Sequence, residues 1–289
     1  MSSLTSRKTR LCGLIGDPLE HSVSPAMHNA AFRELGLDYL YAPFPVKKAE
    51  LSKTIAGLRA LNVSGVNVTM PHKVAIIPLL DKLDPLAQDI GAVNTVVNKD
   101  GVLTGYNTDA TGFLQALKEN RVELKGKNTV LIGAGGAARA IGFVLAQNEA
   151  SLTILNRQAE FDWAKELAYR LSQLFQRVKA MALSDKNLAL ALKGADVLIN
   201  TTSVGMKPNH KESPVPARLL KPGLVVIDIV YNPPKTKLLK EAKEAGAQVI
   251  SGIDMLVGQG ALAFEMWTGQ KAPVELMKKE AIKALKNEN

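Results

Sequence analysis

Residues 129–138, Thr-Val-Leu-Ile-Gly-Ala-Gly-Gly-Ala-Ala, decide the fold of the second half of the chain. The apolar run 129–132 predicts a short buried strand, and apolar residues at helical spacing over 137–147 predict a helix directly after it. A second apolar run, 152–155, predicts the next strand of a βαβ unit. Strand, glycine-rich turn, helix and strand in this order are typical of a doubly wound, Rossmann-type sheet that binds a dinucleotide.

The glycines of this turn fit the G-x-G-x-x-A form of the dinucleotide fingerprint. Gly133 permits the tight turn, Gly135 lets a pyrophosphate approach the backbone, and Ala138 lets the helix pack close to the strand. The phosphates would then meet free amides at the positive end of the helix. A glycine-rich turn alone is a weak signal, but the flanking elements make dinucleotide binding the favoured interpretation.

The end of the second strand indicates which dinucleotide is bound. NAD sites usually place Asp or Glu there, to accept hydrogen bonds from the ribose hydroxyls. This chain has Asn156 and Arg157 instead. Because a guanidinium can hold a 2′-phosphate through two parallel hydrogen bonds, the pair favours NADP. The alternative is that Arg157 is an ordinary exposed loop arginine.

The rest of the chain alternates apolar runs with helical periodicity, which predicts βαβ units and a mostly parallel sheet. Before the glycine turn we predict strands at 11–15, 39–43, 63–69, 92–98 and 102–106, and helices at 26–35, 51–61, 73–80 and 109–119. After it we predict helix 163–175, strands 197–200 and 225–229, and helices 256–267 and 274–286. We therefore expect an α/β protein of two domains, with the boundary in the helix near 109–120.

Composition excludes several classes of protein. The chain has 289 residues, 46% hydrophobic and 22% charged, which is typical of a globular protein. No apolar run approaches the roughly 18–20 residues of a membrane span, and the polar, basic segment 1–10 is unlike a secretory signal. The single cysteine, Cys12, cannot form an internal disulfide. We therefore expect a cytoplasmic protein with no membrane partner.

The chain is basic, with 36 Lys and Arg against 27 Asp and Glu and a net charge of +9. Its longest basic runs are pairs such as Lys47-Lys48, and aromatic residues make up only 5%. Proteins that bind nucleic acid usually have longer basic runs and more aromatic residues, so no nucleic-acid partner is expected. The charge indicates either a bias towards small anionic ligands or a solvated lysine-rich surface.

Polar residues gather at the predicted strand ends of the first half. Ser24 and Pro25 suit the cap and first position of a helix, but the hydroxyls of Ser22 and Ser24 could also hold a carboxylate. Lys73 lies just beyond the strand 63–69, and Asp109 follows the strand 102–106.

The carboxyl ends of strands are where open α/β sheets bind ligands. A lysine beside an aspartate can donate or accept a proton, so Lys73 and Asp109 are candidate acid/base residues. The alternative for Lys73 is a solvated lysine at a helix start. The four histidines show no ligand spacing, and we predict no metal site.

Eight motifs in one order make the chain similar to the shikimate dehydrogenase family, which includes the quinate/shikimate dehydrogenases. They are Ser22-Val23-Ser24-Pro25, Asn67-Val68-Thr69-Met70-Pro71-His72-Lys73, Gly91-Ala92-Val93-Asn94-Thr95, Gly105-Tyr106-Asn107-Thr108-Asp109, Gly133 to Ala137, Asn200 to Met206, Asp228-Ile229-Val230-Tyr231-Asn232-Pro233 and Gly252 to Gln259. The resemblance implies a substrate-binding and catalytic domain over 1–110 and a Rossmann NADP-binding domain over 111–254. It also implies that the helices of 255–289 pack back on the first domain.

The resemblance further implies an NADP-dependent, reversible reduction of 3-dehydroshikimate to shikimate in aromatic amino-acid biosynthesis. It leaves open whether the chain is a monomer or a homodimer. The implied catalytic pair is Lys73 and Asp109, beside the reacting alcohol. The implied substrate ligands are Ser22 and Ser24 for the carboxylate, and Thr69, Asn94, Tyr231 and Gln259 around the ring. The implied cofactor residues are Gly133, Ala134, Gly135, Gly136, Ala137, Asn156 and Arg157, with Ile229, Gly252 and Met255 on the nicotinamide side.

One loop departs from the family pattern. The family commonly has Asn-Arg-Thr with a lysine shortly after, whereas residues 156–161 are Asn-Arg-Gln-Ala-Glu-Phe. The threonine and second basic residue are missing, and Glu160 adds a negative charge. Since one charge-assisted hydrogen bond contributes about 1.5–3 kcal/mol, we expect a weaker NADP preference than usual.

Two alternatives follow from this comparison. The quinate/shikimate dehydrogenases accept NAD as well as NADP and also carry Asn-Arg-x-x-Glu-Phe, although Thr69 favours shikimate, since that group tends to have serine there. The other alternative is a nucleotide-sensing or scaffold protein on the same fold without turnover. The presence of both Lys73 and Asp109 argues against it.

Overall fold

The computed structural model describes residues 6–287; the first five residues of the basic segment 1–10 and the last two of the chain lie outside the described residues. Two compact units form, one from Met1–Gly112 with Val257–Asn289 and the other from Phe113–Leu256. The limits 110/111 and 254/255 remain a prediction about functional domains. No helix within 6–287 is long and apolar enough to cross a bilayer.

The chain alternates strands and helices throughout. The strands are β1 (Arg10–Gly16), β2 (Tyr39–Pro45), β3 (Gly65–Val68), β4 (Lys82–Leu83), β5 (Thr95–Lys99), β6 (Val102–Tyr106), β7 (Asn128–Ile132), β8 (Ser151–Asn156), β9 (Val178–Ala182), β10 (Val197–Asn200), β11 (Val225–Asp228) and β12 (Gln248–Ser251). The α-helices are α1 (Ser24–Glu34), α2 (Leu51–Ala60), α3 (Pro85–Ile90), α4 (Thr108–Glu119), α5 (Gly136–Gln147), α6 (Phe161–Ser172), α7 (Asp185–Lys193), α8 (Lys237–Glu244), α9 (Gly252–Thr268) and α10 (Val274–Asn287).

The first unit is built on a six-stranded sheet of order β2-β1-β3-β5-β6-β4. Every neighbouring pair is parallel except the two that involve β5, which runs in the opposite direction. The loops after β3 and β6 and the loop before β5 therefore emerge at one edge of the sheet. That edge carries the polar motifs singled out in the sequence.

The second unit is a fully parallel sheet of order β12-β11-β10-β7-β8-β9. This is the strand order of a doubly wound dinucleotide-binding fold, with the switch point between β7 and β10. Its central strands are buried apolar runs, such as Val197–Asn200, because helices cover both faces of such a sheet. The predicted α/β fold class is confirmed.

The predicted helix over 73–80 is wrong. The segment forms turns and a single 3-10 helix, Ile77–Leu79. The carbonyl of Lys73 accepts a hydrogen bond from the amide of Val93 at 2.8 Å, so it does not continue a helical ladder. Pro78, in turn, has no amide to donate. The first feature is a tertiary hydrogen bond and the second is a proline ring. Hydrophobic periodicity predicts neither of them.

The predicted capping role of Ser24 is also wrong, and several elements were not predicted at all. Helix α1 begins at Ser24 with Val23 in the capping position, where an apolar side chain cannot bond an amide. The elements without a prediction are α3, β4, β9, α7, α8 and β12. Most are short or half-buried, which weakens the apolar pattern.

Trp267 fixes the C-terminal helix α9 to the first sheet. Its indole Nε1 donates to the carbonyl of Val96 in β5 at 3.0 Å, and the ring is buried. The ring lies directly over Gly65 of β3, where an added Cβ would come within 2.2 Å of Nε1 and 2.3 Å of the Val96 oxygen. Only glycine fits beneath this tryptophan.

We predict that Gly65→Ala lowers the free energy of unfolding by about 1–3 kcal/mol, the usual cost of an added methyl in a full core. Gly57→Ala is the matched control, since Gly57 lies inside α2 and an added Cβ meets nothing within 4 Å. That change should raise stability by roughly 0.5–1 kcal/mol. Urea denaturation of both variants measures the difference; equal effects would contradict the packing at Gly65.

Candidate active site

Lys73 and Asp109 form a close ion pair at the polar edge of the first sheet. Lys73 Nζ donates to Asp109 Oδ2 at 2.5 Å, and the side chains are 16% and 6% exposed. Asp109 lies in the first turn of α4, directly after β6, and Lys73 lies just beyond β3. The structure thus brings together two residues 36 positions apart that the sequence analysis predicted as a pair.

Asn94 holds the second oxygen of the Asp109 carboxylate. Its Nδ2 donates to Asp109 Oδ1 and to Thr108 Oγ1, both at 2.9 Å, and to Gln259 Oε1 at 3.2 Å. Its Oδ1 accepts from the amide of Thr108 at 2.7 Å. Four predicted site residues, Lys73, Asn94, Asp109 and Gln259, are therefore joined by direct hydrogen bonds.

A buried polar chain continues behind Asn94 and was not predicted from the sequence. Thr95 Oγ1 lies 3.1 Å from Thr108 Oγ1 and accepts from Asn67 Nδ2 at 3.1 Å. Asn67 Oδ1 in turn accepts from the Tyr41 hydroxyl at 2.9 Å. The Tyr41 ring stacks on His28, with ring centroids 4.4 Å apart. The polar residues at the ends of two strands were visible in the sequence. No sequence pattern indicated Tyr41 on β2 as their partner.

Ser22, Ser24 and Thr69 lie in loops or at a helix start near the ends of β1 and β3. Ser24 is buried, and its amide donates weakly to Ser22 Oγ at 3.4 Å. Thr69 is half-buried, and its methyl group closes against Gly16 at the end of β1. Among residues 6–287, no hydrogen bond joins these three hydroxyls to the Lys73–Asp109 pair.

The glycine-rich turn of the second unit has the shape that a pyrophosphate needs. Gly133 has φ +106°, and an added Cβ would lie 2.6 Å from Thr201 Oγ1, so this position requires glycine. Gly135 is exposed, and space within 4 Å of its Cβ position is open. Ala134 is buried, whereas Gly136 and Ala137 are half-buried at the helix start.

The start of α5 carries free amides without competing groups. Its capping residue is Gly135, which has no side chain to bond them, and its first turn has no acidic residue. The first helical bond runs from the amide of Arg139 to the carbonyl of Gly135. The amides before Arg139 therefore point out at the positive end of the helix, which suits phosphate oxygens.

Arg157 follows β8 and is held by a nearby carboxylate. The guanidinium donates to Glu160, three residues along, and this ion pair raises the pKa of Arg157 and lowers that of Glu160. The Arg157 side chain is 69% exposed and that of Glu160 26%. Asn156 is buried and donates to the carbonyl of Glu160 at 2.7 Å, which fixes the turn.

The predicted nicotinamide-side residues lie at the ends of β11 and β12. An added Cβ at Gly252 would come within 2.3 Å of the Ile229 carbonyl oxygen, so these two residues are in backbone contact. Met255 is buried in the first turn of α9. Tyr231 is half-buried in the loop after β11. The structure thus brings Gly252 against Ile229, and Met255 lies three residues beyond Gly252 in α9.

Asp228, at the end of β11, is a fully buried carboxylate that the sequence analysis gave no role of its own. Oδ2 accepts from the Thr236 hydroxyl at 2.6 Å, and Oδ1 accepts from Asn200 Nδ2 at 2.9 Å and the Val230 amide at 3.1 Å. Burial raises its pKa to about 6, although these three neutral donors oppose the rise. Asp228 thus ties the ends of β10 and β11 to the start of α8.

Of the four histidines, His28 and His72 are buried. His72 is fully buried with Nε2 2.6 Å from the Val46 carbonyl oxygen, and burial lowers the pKa of His28 to about 3. Within the part of the chain that the structure describes, no group of three or more His, Cys, Asp or Glu side chains could hold a metal.

The doubly wound sheet of the second unit with its glycine-rich turn, and the buried Lys73–Asp109 pair of the first unit, are typical of a nicotinamide-dependent oxidoreductase. Three family models match the chain: the shikimate dehydrogenase substrate binding domain over residues 14–96, shikimate / quinate 5-dehydrogenase over 115–238, and the shikimate 5'-dehydrogenase C-terminal domain over 252–282. The chain belongs to the shikimate dehydrogenase family, which confirms the resemblance found in its motifs.

Relatives match over nearly the whole length. A shikimate dehydrogenase (NADP(+)) of Dehalococcoides mccartyi is 50% identical over 276 residues, 95% of this chain and 96% of that one. A shikimate dehydrogenase solved in complex with NADP+ has a TM-score of 0.90 at 44% identity, covering 96% of each chain. A shikimate 5-dehydrogenase of Listeria monocytogenes, solved with shikimate and NAD, has a TM-score of 0.86 at 42% identity, covering 96% and 98%.

We predict that the contribution of Asp228 to the free energy of unfolding falls as the pH rises from about 4 to 6. Its folded-state pKa of about 6 exceeds the ordinary 3.8, so the folded chain binds this proton more tightly than the unfolded chain does. The stabilising effect is complete below pH 4 and is lost above pH 6. Asp228→Asn should remove this pH-dependent effect. Relative to wild type, the free energy of unfolding of the variant should therefore rise by roughly 2–3 kcal/mol between pH 4 and pH 7.

Urea denaturation at several pH values measures this difference. Asp185→Asn is the control, since that side chain is 87% exposed in the same unit. Its stability difference from wild type should change little over this range. A constant difference for Asp228→Asn would mean that the carboxylate titrates normally.

Proposed function

We propose that this chain is an NADP-dependent oxidoreductase that interconverts 3-dehydroshikimate and shikimate, in aromatic amino-acid biosynthesis. The observation that carries the proposal is the 2.5 Å Lys73–Asp109 pair, buried at a sheet edge lined with hydrogen-bonding side chains. The names and bound ligands of the close relatives support the same reaction. We propose that it acts in the cytoplasm as a monomer or homodimer, with a small molecule as its partner and no nucleic acid.

Lys73 is the proposed proton donor and acceptor for the alcohol oxygen. Its ammonium carries three N–H groups, of which Asp109 accepts one, so the others are available to a substrate oxygen. In the reducing direction Lys73 gives a proton to the oxygen that becomes the hydroxyl; in the oxidising direction it takes that proton back. Asp109, held by Asn94, orients the ammonium and balances its charge.

The substrate carboxylate and ring hydroxyls are assigned to the other polar groups of the first unit. Ser22 and Ser24, at the start of α1, would donate to the carboxylate. Thr69, Asn94 and Gln259 would bind the ring hydroxyls, and Tyr231 of the second unit would also contact the substrate. No part of this scheme requires a metal, because a positioned cation and hydrogen bonds supply the needed polarisation.

The second unit would hold NADP, which supplies or accepts the hydride when bound. The free amides of 135–137 and the open space at Gly135 fit the pyrophosphate. Asn156 and Arg157 would lie at the adenine ribose and its 2′-phosphate, with Gly133 and Ala134 shaping the turn. Ile229, Gly252 and Met255 are the proposed nicotinamide-side residues.

A second candidate is a quinate/shikimate dehydrogenase that accepts NAD as well. The Arg157–Glu160 ion pair supports this candidate, because the guanidinium that would select the 2′-phosphate is already paired with a carboxylate. The two candidates differ in cofactor and substrate range but share the same acid/base chemistry.

We predict that Lys73→Ala lowers turnover of shikimate by about two to four decades, the usual contribution of a general acid/base. Lys82→Ala is the control, since Lys82 is an exposed lysine of the same sheet and should leave the rate within about twofold. Because the change also leaves the buried Asp109 without its cation, the melting temperature of each variant must be measured beside kcat. Normal turnover by folded Lys73→Ala would remove Lys73 from the mechanism.

We predict that purified protein reduces NADP+ fastest with shikimate. Initial rates with shikimate and quinate, each with NADP+ and NAD+, give the complete comparison by absorbance of the reduced nicotinamide. Comparable rates with quinate or NAD+ would favour the second candidate. Absence of any turnover by folded protein in all four assays would favour a sensor without catalysis.

A further inference from the structure

The only cation in the segment 156–164 is Arg157, so this one side chain would have to read the 2′-phosphate from that loop. In the structure its guanidinium is not free, because Nη2 donates to Glu160 Oε1. The same group that should select NADP is therefore paired with a carboxylate from its own loop.

The position of Glu160 is set by the backbone. Residues 158–160 form a 3-10 turn in which the amide of Glu160 donates to the carbonyl of Arg157 at 3.0 Å. The carbonyl of Glu160 accepts from the buried Asn156 side chain at 2.7 Å. The turn thus holds the carboxylate three residues from Arg157, and the pairing needs no rearrangement of the loop.

We propose that Glu160 sets the cofactor preference of this chain by competing with the 2′-phosphate of NADP for the Arg157 guanidinium. The inference rests on the proposed function, in that it takes the loop as the cofactor's ribose site. NADP binding brings a phosphate to a guanidinium that already pairs with Glu160, so two negative groups share one cation. NAD has only a hydroxyl there, so it binds with the ion pair intact.

The test is equilibrium binding of NADP+ and of NAD+, without shikimate, by isothermal titration calorimetry at one ionic strength. Glu160→Gln keeps the size of the side chain and removes its charge. It should lower the Kd for NADP+ by roughly three- to tenfold and change that for NAD+ less than twofold. Equal tightening of both nucleotides, or no change in either, would overturn the proposal.

Asp162→Asn is the matched control for net charge. It makes the same charge change two residues away, but Asp162 pairs with Lys165 at 2.9 Å and is 90% exposed. Its Kd for NADP+ should stay within about twofold of wild type. If Asp162→Asn tightens NADP+ binding as much as Glu160→Gln does, the effect is one of net charge and the competition is refuted.

Arg157→Ser separates competition from simple repulsion. It should weaken NADP+ and leave NAD+ nearly unchanged, and adding Glu160→Gln to it should then have little further effect. A full Glu160→Gln effect without Arg157 would overturn competition. If neither wild type nor any variant bound either nucleotide, the cofactor assignment would fail along with this inference. If only the proposed reaction were wrong, the shikimate assays would show no turnover while the nucleotides still bound.

Discussion

The buried carboxylate of Asp109 is the group on which the substrate-binding unit depends. A charged carboxylate can be removed from water only if its oxygens are paired, and here Lys73 takes one oxygen while Asn94 takes the other. Asn94 can do so only because Thr108 fixes its orientation from the opposite side. The proposed catalytic pair is thus held by secondary hydrogen bonds, as precise proton transfer would require.

The sheet topology explains why these residues meet. β5 runs against its neighbours, so the residue before it, Asn94, lies at the same edge as the residues after β3 and β6. The register pairs Asn67 with Thr95 and Thr95 with Tyr106. One reversed strand therefore gathers polar groups from three loops. In the second unit the hydrogen-bonding groups come from the backbone instead, as the exposed amides at the start of α5.

Much of this could be predicted from the sequence, and what could not has a physical cause. The turn at Gly133 was visible because a local conformation demands glycine, and the negative charge of Glu160 was visible because it lies only three residues from Arg157. The Tyr41–Asn67 hydrogen bond spans 26 residues, and nothing local marks it. The helix predicted over 73–80 was wrong for the same reason, because the distant amide of Val93 donates to the carbonyl of Lys73. Local rules predict turns and periodicity, whereas tertiary hydrogen bonds override them.

Two buried aspartates show how the partner decides what a carboxylate can do. Asp228 is surrounded by neutral donors, which offset the loss of water only in part, so its pKa rises to about 6 and it serves to tie loops together. Asp109 faces a full positive charge, and a neighbouring amide completes its bonding. A neutral donor shell can fix a loop but carries no positive charge to balance the carboxylate. The ammonium of Lys73 supplies that charge beside Asp109, and for this reason we propose the acid/base role for this pair.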